Sequence, residues 1–251
     1  MSNVFVVTGT DTGVGKTVVT AAWAALARST GDRVAVVKLA QTGTADSDSD
    51  VAEVLRLTGL PAEDVVQFAS YPEPLAPAVA ARRAGLAPLP MAEAVDAIRD
   101  WSRAYDKVLV EGAGGLLVPC ADSDGWTVAD LAAELDAPAL VVARAGLGTL
   151  NHTALTLEAL THRYVSRWGV VIGSWPAAPG LAERCNLTDL QTLPGARLAG
   201  ALPEGTGLVA SPEHFLALAR EGLAPLLGGR FDAADFTGRF LPPAPEPKAA
   251  E

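Results

Sequence analysis

Six short runs dense in Val, Leu and Ala punctuate the chain, and a stretch with helical spacing follows each. The runs are residues 4–8, 34–38, 107–111, 139–143, 169–174 and 197–201. Near-continuous apolar content over so few residues suits strands covered on both faces, as in a parallel sheet. The intervening patterns predict helices over 16–29, 50–58, 91–104, 127–135, 150–164 and 180–193, and a last one over 212–226. This alternation predicts an α/β fold, doubly wound, with a mainly parallel sheet flanked by helices and right-handed crossovers. Ligands in such folds gather at the carboxyl ends of the strands, which selects the loops to inspect. Residues 1–227 are expected to form one domain. Residues 228–251, ending in "FLPPAPEPKAAE", are rich in proline and lack periodic apolar residues, so a flexible tail is expected there.

Composition narrows the function classes. Apolar residues make up 49% of the 251, enough for a substantial core. A balance of 19 basic against 29 acidic residues leaves a net charge of −10, which disfavours nucleic acid and anionic membranes as partners. Cys120 and Cys185 form no Cys-x-x-Cys pair, which argues against a disulfide framework or a cysteine zinc site. No apolar run approaches the ~18 residues of a membrane span, and no signal-type segment follows Met1. The chain reads as soluble and cytoplasmic.

Between the first run and the first helix lies "GTDTGVGKT", residues 9–17. A glycine-rich turn in that context converges backbone N–H groups on phosphates, and the helix dipole adds to their attraction. Lys16 is expected to reach the β- and γ-phosphates, and the Thr17 hydroxyl to hold Mg²⁺. The spacing is unusual. Five residues rather than four separate Gly9 from Gly15-Lys16-Thr17, and Thr10 stands where a glycine is common. Partitioning and septum-site ATPases carry a second lysine five residues before the main one, where this chain has Asp11, which counts against a switch ATPase.

Three further stretches carry charge to strand ends. In "VVKLAQTGT", Lys38 closes the second strand and needs an anion, because burying it unpaired is costly; Thr42 adds a hydroxyl to the same loop. Asp46, Asp48 and Asp50 have calcium-loop spacing, but Val51 and Leu57 stand where glycine and glutamate are required, which rejects that reading. Asp50 then either caps a helix or reaches Mg²⁺. In "VLVEGAGG", Glu111 ends a buried strand, the position from which P-loop proteins address Mg²⁺, and Gly112, Gly114 and Gly115 let backbone approach a charged ligand. In "ARAGLGTLNHT", the backbone of Thr149, Leu150 and Asn151 opens a helix able to hold a carboxylate. His152, His162 and His214 are isolated, and no Ser-His-Asp or Cys-His arrangement is legible, which disfavours acyl-enzyme chemistry.

In family order over about residues 4 to 175, "VTGTDTGVGKT", "VVKLAQTGT", the Asp50 helix start, "VLVEGAGGLLVP" and "GLGTLNHTALTLEAL" resemble dethiobiotin synthetases. The resemblance implies a P-loop NTPase fold and an ATP-dependent cyclo-ligase of biotin synthesis. Its substrates would be 7,8-diaminononanoate, CO₂ or bicarbonate, and ATP with Mg²⁺. It implies charge neutralisation on the transferred phosphoryl group by Lys16 and Lys38. Carbamate contacts would come from Lys38, Thr12 and Thr42, and Mg²⁺ ligation from Thr17, Asp50 and Glu111. The substrate carboxylate would sit against Gly148, Thr149, Leu150 and Asn151 at a homodimer interface. Nucleotide contacts would come from Gly13, Val14, Gly15, Lys16, Thr17 and Val18, from Glu111, Gly112, Ala113 and Gly114, and from Gly173, Ser174, Leu202, Pro203 and Glu204. Leu39 replaces a frequent proline, Gly13 a glutamate of some members, and Ser174 an adenine-reading asparagine, which opens the site to other nucleoside triphosphates. An amide ligase of the cobyrinate type fits less well, since the chain is short for an added glutaminase domain and Cys120 lacks a nucleophile elbow.

Overall fold

A computed structural model describes residues 2–45, 49–122 and 125–241. Asp46 and Asp48 of the rejected calcium loop lie outside it, as does the end of the expected tail, 242–251. The strands are β1 (Val4–Gly9), β2 (Val34–Thr42), β3 (Val65–Tyr71), β4 (Lys107–Gly115), β5 (Ala139–Ala143), β6 (Arg167–Trp175) and β7 (Leu198–Pro203). They form one sheet in the order β3-β2-β4-β1-β5-β6-β7, every neighbouring pair parallel. The helices are α1 (Lys16–Ser29), α2 (Asp50–Thr58), α3 (Pro77–Ala84), α4 (Met91–Ala104), α5 (Val128–Glu134), α6 (Thr149–His162), α7 (Leu181–Leu190), α8 (Pro212–Gly222) and α9 (Ala233–Arg239).

Strand alternation splits the core between the two faces. From β1, Phe5 and Val7 join Trp23 and Leu26 of α1 and Phe215 of α8. Val4 and Val6 face the other way, with Ile98 of α4, Leu131 of α5 and Leu160 of α6. β1 is central, so its outgoing loop sits at the middle of the carboxyl edge of the sheet, with β4 on one side and β5 on the other.

Four differences from the sequence expectation have physical causes. The edge strand β3 was not anticipated: it is half-buried and carries Gln67 and Ser70, which breaks the apolar run. The short α3 is framed by Pro77 at its start and Gly85 in a left-handed conformation at its end. β2 and β4 run four residues past Lys38 and Glu111, so both residues lie inside strands rather than at their ends. Finally, part of the expected tail is helical. Phe236 of α9 meets Trp175 edge-to-face and Phe240, the residue that follows α9, meets it at a tilt, with ring centroids 5.3 and 5.1 Å away, an aromatic pair four residues apart hidden by the following prolines.

Candidate active site

The phosphate loop owes its shape to glycines at specific positions. Gly13 and Gly15 have φ of 71° and 95°, the left-handed region that side chains other than glycine's resist. Gly15 precedes α1, and a Cβ there would stand 2.9 Å from the Gly173 carbonyl oxygen of β6. A Cβ on Gly173 would in turn stand 2.0 Å from the Val14 carbonyl oxygen. The loop therefore lies directly on the β6 backbone. Its conformation brings Lys16 Nζ within 3.0 Å of the Asp11 carbonyl oxygen, to which it donates. Burial pulls the Lys16 ammonium from its ordinary 10.5 down to about 8, against the opposing pull of Glu111.

Lys38 and Glu111 are register partners on the adjacent strands β2 and β4. Lys38 Nζ lies 2.6 Å from Glu111 Oε1 and 2.5 Å from Asp50 Oδ2, and the same Glu111 oxygen accepts from Thr17 Oγ1 at 2.8 Å. Glu111 is 1% exposed and Lys38 6%. Burial alone would lower the Lys38 ammonium, but Glu111 and then Asp50 outweigh it and hold it above its ordinary value. Asp50 opens α2 after the Ser49 cap, and Gln41 Oε1 accepts its backbone N–H at 3.3 Å. Of the two readings left open for Asp50, a capping role belongs to Ser49, while the Asp50 carboxylate turns inward to Lys38.

These groups line one cavity of about 360 Å³. Thr12, Gly13, Gly15, Lys16, Thr17, Val18, Lys38, Thr42, Asp50, Glu111, Ala113 and Gly114 all face it. Val14 is buried against β6, and Gly112 packs on α5, where a Cβ would meet Val128 Cγ2 at 2.7 Å. Leu202 is wholly buried in the core, so its side chain is no ligand group, while Ser174, Pro203 and Glu204 are exposed at the ends of β6 and β7. The segment after β7 lies along the cavity wall. Gly207 approaches Val18 and Glu53, and Arg56 donates to the carbonyls of Gly207 and Val209 at 2.6 and 2.8 Å. Gly148 to Asn151 stand apart, at the start of α6, beside a second groove of about 240 Å³ lined by Thr10, Leu117, Val118, His152 and Leu155.

Sequence reasoning missed Gln41 and Glu53, which line the cavity, and Arg144, whose guanidinium lies 2.8 Å from Asp11 Oδ2. Strand alternation assigns Gln41, three residues after Lys38, to the opposite face of β2, and nothing in the pattern singles out Glu53 or Arg144. Among the described residues, no three His, Cys, Asp or Glu side chains converge as a metal site. The oxygens of Thr17, Asp50 and Glu111 are a hard donor set of the kind that holds Mg²⁺ with few protein ligands and leaves the rest to water and phosphate.

The chain matches a family model described as an AAA domain over residues 3–211. Among solved structures it resembles apo McdA from Cyanthece (TM-score 0.56, 14% identity, covering 90% of this chain and 99% of that one). It also resembles the MinD cell division protein of Aquifex aeolicus (TM-score 0.54, 17% identity, 91% and 98%). At such identities the likeness shows the fold alone. The sequence relatives are much closer. ATP-dependent dethiobiotin synthetases of Saccharopolyspora erythraea and Frankia casuarinae are 59% and 57% identical, covering 91% and 94% of this chain and 99% and 98% of their own. That of Streptomyces avermitilis is 55% identical over 96% of this chain and all of its own. Such identity, sustained from the phosphate loop to the final helices, means that the chain belongs to the ATP-dependent dethiobiotin synthetases, P-loop ligases of biotin biosynthesis.

Proposed function

We propose that the cavity at the phosphate loop closes a cyclic urea on 7,8-diaminononanoate, using CO₂ and ATP, without a protein nucleophile. One amine adds to CO₂ and loses a proton, forming a carbamate. A carbamate oxygen attacks the γ-phosphorus as the bond to ADP breaks. The second amine then attacks the carbamate carbon, expels phosphate and loses its proton. What remains for the protein is positioning and charge stabilisation. The observation that carries this reading is the Lys38 ammonium, held by Glu111 and Asp50 beside Lys16 and Thr17.

In this reading Lys16 and Lys38 neutralise the oxygens of the transferred phosphoryl group, and Thr12 and Thr42 bond the carbamate. Thr17, Asp50 and Glu111 would hold Mg²⁺, which supplies further charge neutralisation when bound. The start of α6 holds the substrate carboxylate with backbone N–H groups that no helical carbonyl satisfies. Leu117, Leu147 and Leu155 are 48%, 87% and 56% exposed around that helix and the neighbouring groove, which supports burial of this face in a homodimer. Sedimentation of the purified chain is expected to give a dimer; a monomer under turnover conditions contradicts that part. Phosphate release from Mg-ATP and bicarbonate should depend on the diamine, whereas a switch ATPase would ignore it.

Two consequences concern the nucleotide. With an exposed Ser174 near the base, GTP or CTP should support turnover within about tenfold of ATP, because rejection requires a polar group left unpaired. A rate ratio above that range would place base selection elsewhere. Lys16 titrates near pH 8 in the free protein and must be charged to hold phosphates. Binding of ATP at pH 8 is therefore expected to take up about half a proton per site, read by calorimetry in buffers of different ionisation enthalpy. The sign also holds for stability. A depressed folded value means that the unfolded chain binds more protons between about 8 and 10.5, so the nucleotide-free protein gains stability across that window.

A further inference from the structure

We propose that Asn186 is a positioning residue for the substrate carboxylate, acting through the loop between β5 and α6; this rests on the assignment of the carboxylate to the start of α6. Asn186 lies inside α7, where asparagine is a weak helix former, and it is 6% exposed. Its Nδ2 donates to the Ala145 carbonyl at 2.9 Å and the Gly146 carbonyl at 3.0 Å, so both amide hydrogens are spent on one loop. The Gly146 oxygen is also the acceptor of the first N–H of α6, from Thr149 at 3.2 Å. A single side chain thus fixes the carbonyl that sets the direction in which α6 begins. Gly148, with φ of 91°, makes the turn between them.

The loop has a second anchor of different strength. Arg144 pairs with Asp11 at 2.8 Å, tying the loop to the phosphate loop, but both side chains are nearly half exposed and such a pair contributes little. Loss of the Asn186 amide instead takes its donor from the buried Ala145 carbonyl and leaves the half-buried Gly146 carbonyl with the Thr149 N–H, so the loop must move to satisfy Ala145. Movement there displaces the α6 N–H groups, whereas Lys38 and Glu111 stand on β2 and β4, separated from β5 by β1.

The test compares wild type with Asn186→Ala, and with Asn186→Asp, which keeps the size but replaces the donor by a carboxylate. Each is assayed with 7,8-diaminononanoate, with its neutral carboxamide, and separately over ATP concentration. The proposal expects the KM for the diamine acid to rise about tenfold or more, the KM for ATP to stay within about twofold, and the preference for acid over carboxamide to shrink. Asn186→Ser retains one donor and should give an intermediate rise if the alanine variant does not fold. Folded variants that keep both the KM and the acid preference overturn the role of Asn186 alone, and so does a matching rise in both KM values. A wild-type enzyme that does not distinguish acid from carboxamide overturns the carboxylate assignment, and the role of Asn186 with it.

Discussion

Replacing Lys38 by alanine is expected to slow product formation at least about a hundredfold, the scale seen when a fixed charge or donor is removed from a transition-state oxyanion. The effect should fall on kcat, because Lys16 and the loop backbone still bind the nucleotide. Lys38→Met, which keeps volume without charge, should be equally slow; a fully active methionine variant would show that the ammonium has no part in the reaction. The same change leaves Glu111, 1% exposed, and Asp50 without their shared cation. Breaking a buried pair from one side costs about 3 to 5 kcal/mol, and the remaining Thr17 bond argues for the lower end. Thermal unfolding should detect it. Since the folded ammonium is held above 10.5, the pair stabilises the protein fully at neutral pH and is lost only as pH rises beyond that value.

Gly173→Ala should be nearly as damaging, for a steric reason. The added Cβ would stand 2.0 Å from the Val14 carbonyl oxygen and 2.7 Å from Val142 Cγ1. Neither the loop backbone nor the β5 side chain beside it can yield cheaply in a close-packed interior. Relief requires lifting the phosphate loop off β6, which disperses the N–H groups that converge on phosphate. The KM for ATP is expected to rise at least about tenfold, with a loss of about 1 to 3 kcal/mol in stability. An alanine variant with unchanged ATP affinity would mean that the loop can shift without losing its shape.

Gly173 also illustrates what a sequence can and cannot disclose. The resemblance marks it as a nucleotide contact; its geometry makes it the floor beneath the loop, a role visible only once β6 lies under Val14 and Gly15. Lys16, Thr17, Lys38, Thr42, Asp50 and Glu111 were legible because buried charge and glycine-rich turns need partners, and they line one cavity. The register that sets Lys38 beside Glu111 was not legible, since pairing between strands 73 residues apart depends on sheet order. Asn186 and Arg144 were missed for the same reason. Each meets its partner on a segment distant in sequence, and nothing in its local pattern announces that. β3 and α9 escaped because an edge strand and a terminal helix bury too little apolar surface to produce a clear period.

In the proposed reaction a carbamate oxygen, not water, attacks the γ-phosphate. ¹⁸O-labelled bicarbonate, mixed with the enzyme, diamine and Mg-ATP immediately before a single turnover, tests it directly. One labelled oxygen is expected in each phosphate released, in step with dethiobiotin formed. Unlabelled phosphate, or phosphate released without the cyclic urea, would contradict it.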